Sequence, residues 1–314
     1  MILVTGIFGH IGYTTTLELC KHKNKVIGIY NNSVDINYKK ILIKNNVTLI
    51  KNNLTNFEYI KKIFKKHKIK KVVHCAAVAH DSIAKKEPLK TLNINSISVY
   101  FFLELLKQRK FNKFIYISTG SVFQNITDSK KIFENKIPTP KSLYATTKRL
   151  GEVLTQSYKE NFNLDAFVLR VSWVYGPPLI IKKINPQRGP IPYIAYKIAK
   201  GQRNIKFSSG KDFKAAFTYI KDVNNAVLKL LNSNQSNICY FHLSGGKNYS
   251  NIQIGKIFEK IIIGSKITFK KGVKPWSNDS VMRPPIVSNN LKYKIKYSLE
   301  KGISEYIKFL INHA

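Results

Sequence analysis

Three glycines at three-residue spacing near the start of the chain constrain it more than any other feature. Ile2, Leu3 and Val4 form an apolar run, and Thr5-Gly6-Ile7-Phe8-Gly9-His10-Ile11-Gly12 follows directly. A short apolar run that ends in glycine and opens a helical pattern is a strand–turn–helix unit. Gly6 permits a tight turn, Gly9 lets the backbone approach a pyrophosphate, and Gly12 lets helix and strand pack closely. The helix N-terminus then offers phosphates its amides and the positive end of its dipole. The turn predicts a dinucleotide site lined by Gly6, Phe8, Gly9, His10, Ile11 and Gly12. His10 either touches phosphate or stands exposed.

Beyond that turn, apolar runs alternate with helical patterns as far as residue 176. Val26-Ile27-Gly28-Ile29-Tyr30, Val47-Thr48-Leu49-Ile50, Lys71-Val72-Val73-His74, Phe114-Ile115-Tyr116-Ile117 and Ala166-Phe167-Val168-Leu169 read as strands. Residues 11–20, 57–67, 89–107 and 143–158 read as helices, the third carrying Leu92, Val99, Leu103 and Leu106. Strands that are apolar on both faces and separated by helices predict an α/β fold, a Rossmann-type doubly wound parallel sheet. Gly176-Pro177-Pro178 punctuates the chain. After it, 186–192 reads as a loop, and 194–201 and 223–231 as helices. The expected organisation is a dinucleotide-binding domain over 1–176 and a smaller α/β substrate domain over 177–314, with segments free to return to the first domain.

The charge asks for a separate account. The chain has 53 Lys plus Arg against 17 Asp plus Glu, a net +36. That suits a nucleic-acid binder. It also follows from an AT-rich coding sequence, because Lys, Asn, Ile, Tyr and Phe are all abundant and lysine far outnumbers arginine. The lysines are scattered, as in Lys39-Lys40, Lys61-Lys62, Lys65-Lys66, Lys70-Lys71 and Lys182-Lys183, and form no basic tail. Compositional drift is the favoured reading, and no nucleic-acid partner is expected. Either way, the positive field attracts anions such as sugar diphosphates. No apolar stretch reaches the roughly 18 residues of a spanning helix, and no basic segment precedes the first apolar run, so neither a membrane span nor a signal peptide is expected. Cys20, Cys75 and Cys239 are odd in number and far apart. They form no metal-ligand spacing, which predicts no metal site and a reducing, cytoplasmic compartment.

Two further segments carry chemistry. Tyr144-Ala145-Thr146-Thr147-Lys148 places a phenol and an ammonium one turn apart on one helix face. A lysine beside a phenol lowers its pKa toward neutrality, so the tyrosine can exchange a proton with a sugar hydroxyl or carbonyl. Tyr116-Ile117-Ser118-Thr119-Gly120-Ser121-Val122-Phe123 ends a strand where open α/β sheets place their sites. Its hydroxyls either bind substrate or cap the turn.

The Gly-x-x-Gly-x-x-Gly turn after a threonine, the run Tyr144-x-x-x-Lys148-x-x-Gly151-Glu152 and the strand-end Thr119 together resemble the extended short-chain dehydrogenase/reductase family, which includes nucleotide-sugar epimerases, dehydratases and reductases. The resemblance implies Tyr144 as acid/base and Lys148 as its tuner and cofactor-ribose anchor. It implies Thr119 as the group that hydrogen-bonds the substrate oxygen, with Ser118 and Ser121 as nearby alternatives. Dehydratases of the family carry an Asp-Glu pair after this threonine. Gly120-Ser121 stands there, which argues against a sugar 4,6-dehydratase. His74-Cys75-Ala76-Ala77 resembles the family's His-x-Ala-Ala, which sets Ala76 and Ala77 against the cofactor; His74 itself reads equally well as a buried structural histidine. Asn95 matches a family asparagine at the active-site end of the sheet. Asn53-Leu54 stands where the family often has Asp and an aliphatic residue against adenine.

The strand-two end, Tyr30-Asn31-Asn32, lacks the acidic residue that would hold the ribose 2′-OH of NAD. Of NAD and NADP this leans slightly to NADP, although no Arg or Lys occupies 30–34. Leu169-Arg170-Val171-Ser172-Trp173-Val174-Tyr175-Gly176 resembles the family's Leu-Arg-x-x-x-x-Tyr-Gly, with Val171 at the cofactor and a Ser-Trp pair like that of dTDP-4-dehydrorhamnose reductases. Trp173 either stacks on sugar or nicotinamide, or packs in a core. Asp222 resembles a helix cap. Ala215-Ala216 replaces the Arg-Asp pair of many epimerases, and Arg283-Pro284 resembles a late Arg-Pro that contacts diphosphate.

The resemblance implies an NAD(P)-dependent nucleotide-sugar epimerase or reductase acting on a nucleotide-diphosphate sugar, and a homodimer built through two helices per subunit. The competing reading is a catalytically silent member that binds RNA or senses NADP through its basic surface. A binding module has no reason to keep Thr119, Tyr144 and Lys148 together.

Overall fold

The computed structural model describes residues 1–31, 34–127, 130–178, 189–234, 237–277 and 284–313. The first half alternates β1 (Ile2–Thr5), α1 (His10–Lys21), β2 (Val26–Tyr30), α2 (Ile36–Lys44), β3 (Thr48–Lys51), α3 (Phe57–Lys66), β4 (Lys71–His74), α4 (Asp81–Lys86), α5 (Pro88–Leu92), α6 (Ser98–Lys107), β5 (Lys113–Thr119), α7 (Leu143–Phe162) and β6 (Ala166–Val171). The pleat sends alternate residues to opposite cores. Ile2, Val4, Val73, Ile115 and Ile117 join one core with α1. Leu3, Val72, Phe114 and Tyr116 join the other with α3 and α6. Burial on both faces is what a parallel sheet sandwiched by helices requires.

The helix expected over 89–107 is present, with one widened stretch inside it. Between α5 and α6, residues Asn93–Ile97 form a π turn. The cause is tertiary. The Tyr116 hydroxyl donates to the Asn95 carbonyl at 2.9 Å, and the Asn95 side chain bonds the Val78 backbone through both its ends, at 2.9 and 3.2 Å. Outside partners for the backbone carbonyl and side chain of Asn95 accompany the widened turn. Gly151 of α7 packs on this bulge, since a Cβ there would lie 2.6 Å from the Tyr116 hydroxyl and 2.8 Å from the Asn95 carbonyl.

The second half adds β7 (Val174–Tyr175), α8 (Pro190–Ala199), β8 (Asn204–Phe207), β9 (Lys214–Ala215), β10 (Thr218–Tyr219), α9 (Ile220–Leu231), β11 (Tyr240–Leu243), β12 (Tyr249–Ser250), α10 (Asn251–Ile261), β13 (Lys266–Phe269) and α11 (Leu299–Ile311). Two of these elements return to the main sheet. β11 pairs parallel with β6. α9 packs on α1, where Thr14 and Thr15 donate to Asn224 Oδ1 at 3.0 and 3.1 Å. The sheet is thus seven-stranded, in the order β11-β6-β5-β4-β1-β2-β3. The parallel β8–β13 pair and α8, α10 and α11 form a smaller lobe beside it. The expected loop over 186–192 is partly wrong: 186–188 lie outside the described residues, and Pro190 begins α8, a first-turn position that needs no N–H. Asp222 does not cap its own helix either. It is fully buried and accepts the Tyr293 hydroxyl at 2.7 Å and the Lys296 N–H at 2.9 Å, which ties the segment before α11 to α9. Among the described residues, no helix is long and apolar enough to cross a membrane.

Candidate active site

The strand order reverses between β1 and β4, and a cleft opens outside the carboxyl ends of these strands, as such a switch point dictates. It encloses about 2110 Å³ and reaches from the glycine turn to the smaller lobe. That is room for a dinucleotide and a second ligand.

The glycine turn is built as a cradle. Gly6 sits at φ +63°, where an added Cβ would stand 2.7 Å from Ala76 Cα, and a Cβ at Gly12 would stand 2.4 Å from the Gly6 carbonyl oxygen. A Cβ at Gly9 would approach only the Gly6 oxygen, at 3.1 Å, so this glycine keeps the backbone open to the cleft. Gly9 is the N-cap of α1 and provides no side-chain cap, and the first turn holds no acidic residue. That end of the helix suits a pyrophosphate. Phe8, His10 and Ile11 line the cleft beside it. Tyr30, Asn31, Asn53 and Leu54 line the end near β2, where Phe8 and Tyr30 meet edge to face at 5.0 Å. Ala76 and Ala77 form the floor. The residues present therefore fit a dinucleotide.

His74 is structural. It is fully buried, its Nδ1 lies 3.0 Å from Thr5 Oγ1 and its Nε2 lies 3.1 Å from Ser98 Oγ. Thr5 Oγ1 in turn accepts the Ala76 N–H at 3.2 Å, which sets the floor.

Thr119 closes β5, Tyr144 lies in the first turn of α7, and both line the cleft, where the Thr119 hydroxyl favours ionisation of the phenol. Thr119 Oγ1 also accepts the Ser121 N–H at 3.1 Å, so the strand-end threonine both caps its turn and faces the cleft. The phenol does not follow the sequence expectation. Burial pushes Tyr144 up to about 12, against the lowering effect of Thr119 and with the Asp81 charge adding to the rise. Lys148 is itself buried, donates to the Ile117 carbonyl at 2.6 Å and sits 4.0 Å over the Tyr116 ring. Burial draws its ammonium down to about 7, although Glu152 favours the cation. Desolvation outweighs the expected lysine–phenol effect.

Ser121, Val171 and Trp173 line the cleft. Trp173 packs edge-on against Phe213 at 5.5 Å, so it serves core and cleft together. Ser118 lines the cleft too, but its hydroxyl turns inward and donates to Glu152 Oε1 at 2.6 Å, leaving it a structural part. Asn95 is fully buried behind β5 and does not line the cleft; it braces the π turn rather than a ligand. Arg283 lies outside the described residues.

The pairings among several residues near the site carried no local signal. Glu152 accepts Arg170 through two nitrogens, at 2.9 and 2.8 Å, and Arg170 lies 3.1 Å from His242 Nε2. Asp81 lines the cleft and accepts the Tyr144 backbone N–H at 3.3 Å. The partners are 18, 72 and 63 residues apart, so no short motif contains them.

Burial of neutral histidines makes a prediction on pH. Burial holds His74 down to about 3, and burial together with Arg170 holds His242 down to about 4, from the ordinary 6.5. Between those values the unfolded chain binds protons that the folded one does not, so stability falls as pH falls below 6.5. The expected slope is about 1.4 kcal/mol per pH unit for each histidine. Thermal unfolding at pH 6.5 and 5 reads it above the carboxylate range; an unchanged Tm would contradict it.

A model of the NAD dependent epimerase/dehydratase family matches residues 2–240. A UDP-glucuronate 4-epimerase of Thermodesulfobacterium geofontis is 30% identical over 269 residues, covering 83% of this chain and 80% of that protein. A dTDP-D-glucose 4,6-dehydratase of Dictyostelium discoideum is 31% identical over 202 residues, 59% of this chain and 46% of that protein. The crystal structure of a UDP-glucose 4-epimerase of Thermotoga maritima with UDP-glucose superposes with a TM-score of 0.84 at 23% identity, covering 99% of each chain. A UDP-glucuronic acid 4-epimerase of Bacillus cereus, in complex with UDP-glucuronic acid and NAD, superposes at 0.81 and 23% identity, covering 100% of this chain and 99% of that one. These two structures share the fold described above.

Proposed function

The chain belongs to the NAD-dependent epimerase/dehydratase family, and we propose that it is a UDP-sugar 4-epimerase that keeps NAD in place through each turnover. The observation that carries this reading is that Thr119, Tyr144 and Lys148 line the same cleft as the glycine cradle. Gly120 and Ser121 follow Thr119, so no carboxylate stands there to expel water, and epimerisation fits better than dehydration. The UDP-sugars named with the epimerase structures support the nucleotide.

A nicotinamide bound in the cleft would take a hydride from the sugar carbon and return it to the other face. The chain supplies the rest. Tyr144, with a phenol held near 12, must first give up its own proton; as phenolate it takes the proton of the sugar 4-hydroxyl as the hydride leaves and returns it to the 4-oxygen when the hydride comes back. Thr119 orients that oxygen. Lys148 anchors the ribose of the dinucleotide and supplies positive charge when the phenol gives up its proton.

NAD is preferred over NADP. Tyr30 and Asn31 at the end of β2 bring no cation that would pair a 2′-phosphate, which outweighs the missing acidic residue and the positive field behind the lean to NADP. A second copy of the chain is also part of the reading. α6 and α7 pack together, and Ile97, Tyr100, Leu150 and Val153 stand exposed at 36, 43, 44 and 45% on this pair and the turn before it. Val153→Arg is expected to give a monomer by light scattering where the parent is a dimer; a monomeric parent would refute the interface.

Denaturing the purified protein and separating the released nucleotide tests the cofactor. Retained NAD is the expected result. NADP, or a protein that retains and binds neither, would overturn the assignment.

A further inference from the structure

Resting on the UDP-sugar reading above, the geometry points to Asp81 as a specificity-determining residue that selects a neutral hexose and turns away a uronic acid. Asp81 begins α4, directly after the loop that leaves β4, and lines the cleft with His80, Ser82, Thr119, Ser121 and Tyr144. Its Oδ1 accepts the Tyr144 backbone N–H at 3.3 Å, which fixes the carboxylate at the first turn of α7 beside the proton-exchanging phenol. Its charge reaches that phenol, where it opposes ionisation.

Among the described residues, Asp81 has no ion-pair partner, in a chain of net charge +36. Among the described residues, the other cations of the cleft are engaged or belong to the second half of the chain. Lys148 is buried on the Ile117 carbonyl, Lys90 is paired with Glu87 at 2.8 Å, and Lys21 with Glu18 at 3.1 Å. Lys221 of α9 is paired with Glu305 at 2.6 Å, and Lys214 belongs to β9 of the second half of the chain. His80, Ser82, Thr119, Ser121, Gln124 and Tyr144 line the same cleft.

A carboxylate accepts hydrogen bonds and donates none. Toward a hexose it therefore pairs with hydroxyl groups. Toward a uronate it presents like charge in a partly desolvated cleft, and discrimination by repulsion is as effective as attraction to the right ligand. One of the sequence relatives named above is a UDP-glucuronate epimerase, and Asp81 is the group that would disfavour that substrate here.

Calorimetric titration of the NAD-loaded protein with UDP, UDP-glucose and UDP-glucuronate tests the assignment, with Asp81→Asn alongside. Asparagine keeps the acceptor for the Tyr144 N–H and removes the charge. UDP-glucose is expected to bind about tenfold more tightly than UDP-glucuronate to the parent, the size of one like-charge contact at intermediate dielectric. In Asp81→Asn the gap closes, mainly because UDP-glucuronate tightens. Equal affinities in the parent, or an unchanged gap in the variant, would overturn the role of Asp81 alone. Failure of UDP and both sugars to bind would overturn the UDP-sugar reading and this inference with it.

Discussion

Tyr144→Phe lowers turnover of the UDP-sugar by a factor of about 10²–10⁴, the usual yield of one positioned proton-transfer group, and leaves the fold and NAD binding intact. The phenylalanine ring keeps the volume of the tyrosine, and the backbone N–H of residue 144 still meets Asp81. What is lost is the phenol hydroxyl and its exchangeable proton in the cleft that Thr119 also lines. The direction of the pKa sharpens the expectation. A phenol raised to about 12 by burial is a proton donor at neutral pH. It ionises only when the reaction brings positive charge beside it, so the variant should lose kcat far more than KM. Steady-state kinetics with retained-NAD quantitation distinguishes this from a binding defect. Turnover within a few-fold of the parent would remove Tyr144 from the acid/base role.

Arg170→Leu is expected to cost about 3–5 kcal/mol of stability, because it leaves a buried carboxylate without its cation. Arg170 is 1% exposed and Glu152 is fully buried, and the two are joined by paired hydrogen bonds at 2.9 and 2.8 Å. Ser118 and Arg149 complete the coordination of Glu152 at 2.6 and 3.1 Å, but Arg149 grips only one oxygen and is itself partly exposed. Removing both charges together, as in Glu152→Leu with Arg170→Leu, should cost much less than the single change, since the unpaired charge disappears. Denaturant unfolding of the single and double variants reads the difference. Equal losses would mean that packing rather than charge governs this part of the core. Ser118 bonds Glu152 and is followed in the chain by Thr119, so the single variant should also disturb catalysis before it unfolds.

The two halves of this account were legible in the sequence to different degrees, for physical reasons. The glycine turn and the strands around it could be read because their signals are local. Gly6, Gly9 and Gly12 act on backbone within a few residues of themselves, and β2 and β4 fall on the residues expected. The helix over 89–107 was legible, but its π stretch was not, because the hydroxyl that engages the Asn95 carbonyl belongs to Tyr116 on another element. The site divides in the same way. Thr119, Tyr144, Ala76 and Trp173 meet at the cleft where their motifs suggested. Asn95 and the Ser118 hydroxyl turned inward, because buried polar groups follow the partners that satisfy them: Val78 for one and Glu152 for the other. The direction of the Tyr144 shift was misread for a related reason. Spacing placed Lys148 on the right face, but only the packed structure shows its ammonium on the Ile117 carbonyl and the phenol desolvated. Asp81 carried no signal at all, since a single Asp after an alanine-rich loop has no periodicity to mark it.

The most direct test of the central claim is to give the purified protein UDP-glucose deuterated at C4, without added cofactor, and follow the products by NMR. An epimerase holding its own NAD is expected to form UDP-galactose with the deuterium still on C4 and with no net accumulation of reduced nicotinamide. Loss of the label to solvent, stoichiometric reduction of nicotinamide, or no conversion by protein shown to contain NAD would contradict the account.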